Sequence, residues 1–384
     1  MAESQRIVIL GGGIGGVVAA RRIRSLVPRD SRVILVDRQA LQSFPPSYTW
    51  VMTGERSPSS ITRDLRNLRR KGIEIVESAV EAIDVEARTI TAGGAAIGYD
   101  YLVVALGAEL APDAVPGLAG EACSYYRADD AERLHRELEQ FSGGRVAVLI
   151  PSLPYKCPAA PYEGAMLLDS LFRKRGLRNR VEISLSTPEP QPLPVAGPAL
   201  GAAVVSMLDQ KEIAYHPQRK TTAIDAATHE IVFEDGAREG YDLLIAVPPH
   251  RPPAAVRESP LAGPSGWAPV DAHTLATASP RVYAIGDVTA IALFDGMMLP
   301  KAGVFAHAEA DVVAHNIAAE IRGREERRSF DGHGYCFLEV GDGRAGSANG
   351  DFYASPRQVK MQDPTRVRRL GKKLFERWWL YRWY

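Results

Sequence analysis

The tightest constraint on this chain lies close to its N-terminus. Ile7-Val8-Ile9-Leu10 is a short apolar run of the buried-strand kind, and it leads directly into Gly11-Gly12-Gly13-Ile14-Gly15-Gly16. Gly11, Gly13 and Gly16 satisfy G-x-G-x-x-G at a strand-to-helix junction, where glycine lets backbone amides close on a pyrophosphate at the helix N-terminus. A helix from about Val17 to Leu26 and a second strand, Arg32 to Val36, are expected next. Asp37 ends that strand about 20 to 25 residues past the glycines, where a carboxylate accepts hydrogen bonds from a ribose hydroxyl. The glycines alone say little, but with strand, helix and acid at this spacing they predict a nucleotide-binding βαβ unit.

The alternation of strand and helix continues. Tyr99 to Ala108 reads as a buried strand ending in glycine, which lets backbone pass close to a bound nucleotide. Arg145 to Ile150, Glu182 to Ser186 and Leu243 to Val247 form the strands of a second unit, punctuated by Pro-rich stretches at Pro112 to Pro116, Pro188 to Pro198 and Pro248 to Pro253. Arg281 to Asp287 is a further strand with a Gly286-Asp287 end, so the chain is expected to re-enter its first domain.

With 384 residues, 46% of them hydrophobic, the chain can build two or three cored domains. Zero formal net charge argues against a nucleic-acid binder. The first strand begins too near Met1 for a secretory signal, and no uninterrupted apolar stretch is long enough to span a bilayer, so a cytoplasmic protein is expected. Three cysteines are too few for a disulfide framework, which makes any disulfide here more chemical than structural. The histidines show no metal-ligand spacing, and no metal site is expected.

The second unit departs from its template at the turn that should carry another glycine loop. After Ile150 the sequence reads Pro151-Ser152-Leu153-Pro154-Tyr155-Lys156-Cys157-Pro158-Ala159-Ala160-Pro161-Tyr162-Glu163. Four prolines and a thiol cannot cradle a pyrophosphate.

GGGIGG, YDYLVVALGA and RVYAIGD, in this order, resemble the FAD-binding signature of the pyridine nucleotide-disulfide oxidoreductase superfamily. The resemblance implies FAD, held through Gly11, Gly13, Gly15, Gly16, Asp37, Arg38, Ala105, Gly107 and Gly286, with Asp287 on the ribityl chain. Cys157 to Glu163 resembles, position by position, the Cys-Pro-x-x-Pro-Tyr-Glu stretch of sulfide:quinone oxidoreductases and of the flavoprotein subunit of flavocytochrome c sulfide dehydrogenase. Tyr335-Cys336-Phe337 fits that family's second redox cysteine, and Pro300-Lys301-Ala302-Gly303 its Pro-Lys-x-Gly before a helix pointing at the flavin. The implied fold is α/β: two Rossmann-like, three-layer ββα domains with a C-terminal amphipathic helical segment. The implied division is 1–115 and 256–325 for the two parts of the FAD domain, 116–255 for the degenerate NAD-type domain and 326–384 for the C-terminal region.

A cysteine pair beside a flavin has a chemistry of its own. Hydrosulfide can attack a Cys157–Cys336 disulfide, leaving a persulfide on one sulfur and a thiolate on the other, and two electrons then pass to the flavin. No hydride donor is needed. Lys156 and Lys301 are candidate cations for lowering a thiol pKa or steadying reduced flavin. Glu163 is either a proton relay or a first-turn acid complementing the helix dipole. Cys123 is expected to be a bystander, and the FAD non-covalent.

The C-terminus suggests where the electrons go. As a helix, Val367, Leu370, Leu374, Trp378 and Tyr381 share a stripe, widened by Phe375 and Trp379 and flanked by arginine and lysine, as in helices lying in a headgroup region. By resemblance, Phe375 packs on a quinone opposite Tyr335. The reading is a sulfide:quinone oxidoreductase-like flavoprotein, peripheral on the inner face of the cell membrane, with sulfide, quinone and the membrane surface as partners and a homo-oligomer compatible with the sequence. Alternatives are a sulfide dehydrogenase flavoprotein feeding a cytochrome, a type II NADH:quinone oxidoreductase-like enzyme, and a non-turnover FAD-binding persulfide sensor.

Overall fold

The computed structural model describes residues 4–384. The N-terminal run forms β1 (Arg6–Leu10), followed by α1 (Ile14–Leu26), β2 (Arg32–Asp37), a short α2 (Tyr48–Met52), β3 (Glu74–Glu77) and β4 (Tyr101–Val104). Helix α1 begins at Ile14, earlier than the expected Val17. Glycine propensity argues against a helical start there, and close packing overrides it: a Cβ on Gly16 would lie 1.8 Å from the Gly11 carbonyl oxygen.

Next come β5 (Gly144–Leu149), α3 (Ala160–Lys174), β6 (Val181–Ser186), β7 (Ile213–His216) and β8 (Leu243–Ala246). The chain closes with β9 (Val282–Ala284), α4 (Gly303–Ile321), β10 (His333–Gly341), β11 (Arg344–Asp351), β12 (Gln358–Thr365) and α5 (Arg366–Trp383).

Two parallel sheets organise these elements, in the orders β9-β4-β1-β2-β3 and β7-β6-β5-β8. The late strand β9 therefore completes the sheet that β1 began. The outgoing and returning segments between the sheets pair antiparallel at Glu109–Leu110 and His250–Arg251. Strand β1 is apolar at every inner position because both of its faces are covered. Ile7 and Ile9 pack with Val17, Val18, Val313 and Ile317 from α1 and α4, whereas Val8 and Leu10 pack with Ile83 and Ile90 of an antiparallel meander on the other face. Strands β10, β11 and β12 form a separate antiparallel sheet that leads into α5.

Helix α5 docks through two charged residues and three apolar ones, and leaves a second apolar face outside. Lys372, Glu376, Trp379, Leu380 and Trp383 are buried, while Val367, Leu370, Leu374, Phe375, Trp378 and Tyr381 are exposed. The expected stripe thus faces outward, apart from Trp379, which is buried and stacks on Phe44 at 4.8 Å between ring centroids. Glu376 holds the helix to the early loop by pairing with Arg56 at 2.8 Å and accepting from the Ser47 hydroxyl at 2.6 Å.

Candidate active site

The glycine turn is built as a cradle. Gly11 has φ +97° and a Cβ there would meet the Ala105 carbonyl oxygen at 2.3 Å, so this glycine and the end of β4 must touch backbone to backbone. A Cβ on Gly13 or on Gly107 (φ +69°) would meet nothing within 4 Å, so these two line open space. Gly13 caps α1 without a side-chain hydrogen bond, and the first intrahelical bond runs from the Val17 N–H to the Gly13 carbonyl, which leaves the preceding N–H groups of the first turn for a ligand. Gly15 instead packs on Ile285 and Ala306, and Gly303 on Ile14, so both serve helix packing. Asp37 accepts from the Gly12 N–H at 2.6 Å and the Gln39 N–H at 2.8 Å, closing the turn while keeping acceptor capacity. Arg38 is exposed beside it.

At the far end, Gly286 (φ +73°) donates its N–H to Glu309 Oε2 at 2.5 Å. Asp287 follows, with a buried Oδ1 that has no hydrogen-bond partner. Burial raises its carboxyl above the usual range against the pull of Lys156 and Lys301. An orphaned acceptor of this kind needs a donor, and a ligand hydroxyl fits. Cradle and orphan together fit a dinucleotide cofactor with a polyhydroxyl chain.

The two cysteines lie within electrostatic reach of each other, and Cys157 within that of Asp287. Cys157 takes a left-handed φ of +53° in the proline loop and donates its N–H to the Lys301 carbonyl at 2.7 Å, which ties the loop to the segment leading into α4. Cys336 lies on β10. Both are free thiols, open to solvent yet enclosed by surrounding protein. Burial, followed by the facing Cys336, pushes Cys157 up to about 12. Burial, followed by Glu163, pushes Cys336 up to about 11.

The cation that opposes these shifts is Lys372 on α5, which sequence reading placed only in the basic flank of the tail. Lys301 does not take that role. Its ammonium donates to the carbonyls of Asp287 at 2.7 Å and Thr289 at 3.0 Å and lies 3.6 Å over the Trp267 ring. Burial lowers it to about 8. Lys156, half-buried in the loop, has its pKa lowered by burial against the pull of Asp287 and Cys157.

Glu163 is buried among three donors, the Lys372 ammonium at 2.7 Å, the Thr49 hydroxyl at 2.9 Å and the Glu339 N–H at 3.1 Å. It sits in the first turn of α3, as one sequence option had it, and is in addition an anchored counter-ion to Lys372. Glu339 accepts from Trp50 Nε1 at 2.8 Å, and burial raises its pKa. These partners come from α2, α3, β10 and α5, so only the tertiary fold assembles them.

Tyr335 and Phe375 are both exposed but not in ring contact with each other. Phe337, quoted in the cysteine motif but given no role of its own, takes Tyr335 edge-on at 5.0 Å and lies 3.8 Å from where a Cβ on Gly371 would sit, one turn before Phe375. Alternation along β10 could have revealed it. Cys123 joins the edge of the second sheet through a parallel bridge to Ile245.

Residues 5–150 match the family model described as pyridine nucleotide-disulphide oxidoreductase, and residues 131–248 match that of the sulfide dehydrogenase (flavocytochrome c) flavoprotein chain, central. A mitochondrial sulfide:quinone oxidoreductase of Mus musculus is 25% identical over 381 residues, covering 94% of this chain and 81% of the relative. An alternative NAD(P)H-ubiquinone oxidoreductase of Arabidopsis thaliana is 27% identical, covering 83% and 68%. The X-ray structure of the sulfide:quinone oxidoreductase from the hyperthermophilic bacterium Aquifex aeolicus superposes with a TM-score of 0.89 at 25% identity, covering 99% of this chain and 91% of that one. The central match falls on the unit that carries the cysteine loop in place of glycines, and together the matches span nearly the whole chain. The chain belongs to the sulfide:quinone oxidoreductase and flavocytochrome c sulfide dehydrogenase flavoprotein family of oxidoreductases, within the pyridine nucleotide-disulphide oxidoreductase superfamily.

Proposed function

We propose that this enzyme oxidises sulfide, or a related sulfur species, through Cys157 and Cys336 and passes the electrons by way of FAD to a quinone at a membrane surface. Members of its family bind FAD. In this reading Gly11, Gly13, Gly16 and Asp37 hold the adenosine diphosphate and the orphaned Asp287 carboxylate the ribityl chain. When bound, FAD supplies a two-electron acceptor beside the cysteines. The observation that carries the reading is the hydrogen bond from the Cys157 N–H to the Lys301 carbonyl. It fixes a thiol where a nicotinamide-binding glycine loop would stand, against the segment between Asp287 and α4.

Hydrosulfide attacks one sulfur of a Cys157–Cys336 disulfide. The bond between the cysteines breaks, a new sulfur–sulfur bond leaves one of them as a persulfide, and the electron pair departs on the other as a thiolate. Thiols this basic take up a proton at neutral pH unless a cation holds the anion. Lys372 Nζ is the cation that pulls both thiols back toward the thiolate against burial, and Glu163 Oε1 keeps it charged and in place.

The outward apolar stripe of α5, bordered by Arg366, Arg377 and Arg382, supports a helix lying in a headgroup layer. Among the described residues no helix is long and apolar enough to cross a membrane. Tyr335, Phe337 and Phe375 form the rim at which a quinone ring would dock.

The test is steady-state reduction of decylubiquinone by FAD-loaded protein on phospholipid vesicles. Sulfide should support turnover and NADH should not. Turnover with NADH and none with sulfide would reverse the assignment in favour of a type II NADH:quinone oxidoreductase.

A further inference from the structure

In a dinucleotide-binding unit the acid just beyond the second strand faces the ribose of the cofactor. In the second parallel sheet that strand is β6, neighbour of β5, and the first acid after it is Glu189. Glu189 is turned inward and is only 3% exposed. Its Oε2 accepts from the Tyr162 hydroxyl at 2.7 Å, the Tyr155 hydroxyl at 3.0 Å and the Thr187 hydroxyl at 3.3 Å. Tyr155 and Tyr162 are the residues that bracket Cys157, one in the proline loop and one in the first turn of α3.

We propose that Glu189 is a positioning residue for Cys157: the carboxylate that a dinucleotide site would offer to a ribose instead holds both ends of the cysteine loop. The inference rests on the reading of Cys157 as a redox thiol, and it goes beyond that reading by naming what sets the thiol's place.

Several observations support this role. The left-handed φ of Cys157 costs energy for a residue with a Cβ, so the loop needs attachments on both sides to persist. The structure supplies them as Tyr155 to Glu189 before the cysteine, Tyr162 to Glu189 after it, and the Cys157 N–H to the Lys301 carbonyl at the cysteine itself. The Tyr155 hydroxyl also lies 3.3 Å from the Pro158 carbonyl, within the loop. The hydroxyls that occupy Glu189 are hydrogen-bond donors of the same kind as those of a ribose, so the site is closed to a nucleotide by the contacts that fix the thiol. Cys336 shares none of these attachments, because it is carried by β10 and pairs across to Ala348.

The test compares the two cysteines within one molecule. FAD-loaded, reduced protein is treated with iodoacetamide, and the alkylation rate at each cysteine is read by peptide mass spectrometry for wild type, Tyr155→Phe and Glu189→Gln. Tyr155→Phe should change the Cys157 rate at least fivefold and leave the Cys336 rate within a factor of two. Glu189→Gln should move Cys157 in the same direction. The Michaelis constant for quinone should stay put while kcat with sulfide falls. Equal changes at both cysteines, or none at Cys157 in a variant that retains its flavin, would overturn the proposal. Because alkylation needs no turnover, a protein inactive with sulfide but showing the selective Cys157 effect would reject the sulfide reading and keep the lock.

Discussion

Replacing Lys372 by methionine removes a cation that lowers both thiols. In the structure its ammonium is 2.7 Å from Glu163 and 3.9 Å from Glu339, with all three side chains less than a tenth exposed, and it lies 4.9 Å over the Trp50 ring. Methionine fills much the same volume, so the change is mostly electrical. Glu163 would be left as a buried carboxylate with only Thr49 and one backbone N–H as donors. Breaking a buried pair from one side costs about 3–5 kcal/mol. A raised Lys372 pKa means that this stabilisation is fully present below the lysine's unfolded value and is lost only in strong alkali, so the loss on mutation should be visible at any physiological pH. Urea midpoints of the FAD-loaded protein measure it, and Glu163→Gln on the Lys372→Met background should recover much of the loss because it removes the stranded charge. The same variant should drive both thiols still higher, so that alkylation of Cys157 and Cys336 needs more alkaline pH than in wild type. A Lys372→Met protein within about 1 kcal/mol of wild type, with unchanged thiol titrations, would refute the electrostatic argument.

Three other perturbations follow from the geometry. Burial raises Glu309 from 4.5 to about 7, so its contribution is favourable below the unfolded value and is lost as pH climbs through 7. Glu309→Gln keeps an acceptor for the Gly286 N–H and should stabilise the protein by on the order of 3 kcal/mol near pH 8 and by little near pH 4, read by thermal melts. Phe375→Ala and Tyr335→Ala should raise the Michaelis constant for quinone severalfold and spare flavin reduction by sulfide; an unchanged constant in both would remove the aromatic rim from the quinone site. Leu374→Asp with Trp378→Ala alters exposed positions, so stability should move by no more than about 0.5 kcal/mol each, while flotation with vesicles containing anionic phospholipid should fall sharply. Unaltered flotation would take α5 out of the membrane contact.

The parts of the fold governed by local rules were legible in the sequence. Glycine spacing after an apolar strand located the first cradle, and strand-helix alternation with the Gly286-Asp287 end anticipated that β9 would rejoin the first sheet. The outward stripe of α5 followed from helical periodicity, except at Trp379, because periodicity cannot say which aromatic finds a partner and Phe44 lies far off in sequence. The site itself was only half legible. Cys157 and Cys336 were named from their motifs, but Lys372, Glu339, Glu309 and Glu189 take their meaning from partners on other elements. Long-range ion pairs such as Lys372 with Glu163 leave no spacing to read. Lys301 shows the converse: the sequence offered it as a cation for a thiol or for reduced flavin, and the fold ties its ammonium to two carbonyls over the Trp267 ring.

The claim that a sulfur donor has taken the place of a nicotinamide can be tested in a single turnover. Oxidised, FAD-loaded protein is mixed anaerobically with stoichiometric sulfide in the absence of quinone, and the visible flavin absorbance is followed. Wild type should bleach rapidly with sulfide and leave a persulfide on Cys157 or Cys336 by mass, Cys157→Ser and Cys336→Ser should not bleach, and NADH should leave every variant oxidised. Rapid bleaching by NADH, or bleaching by sulfide that survives loss of both cysteines, would contradict the account.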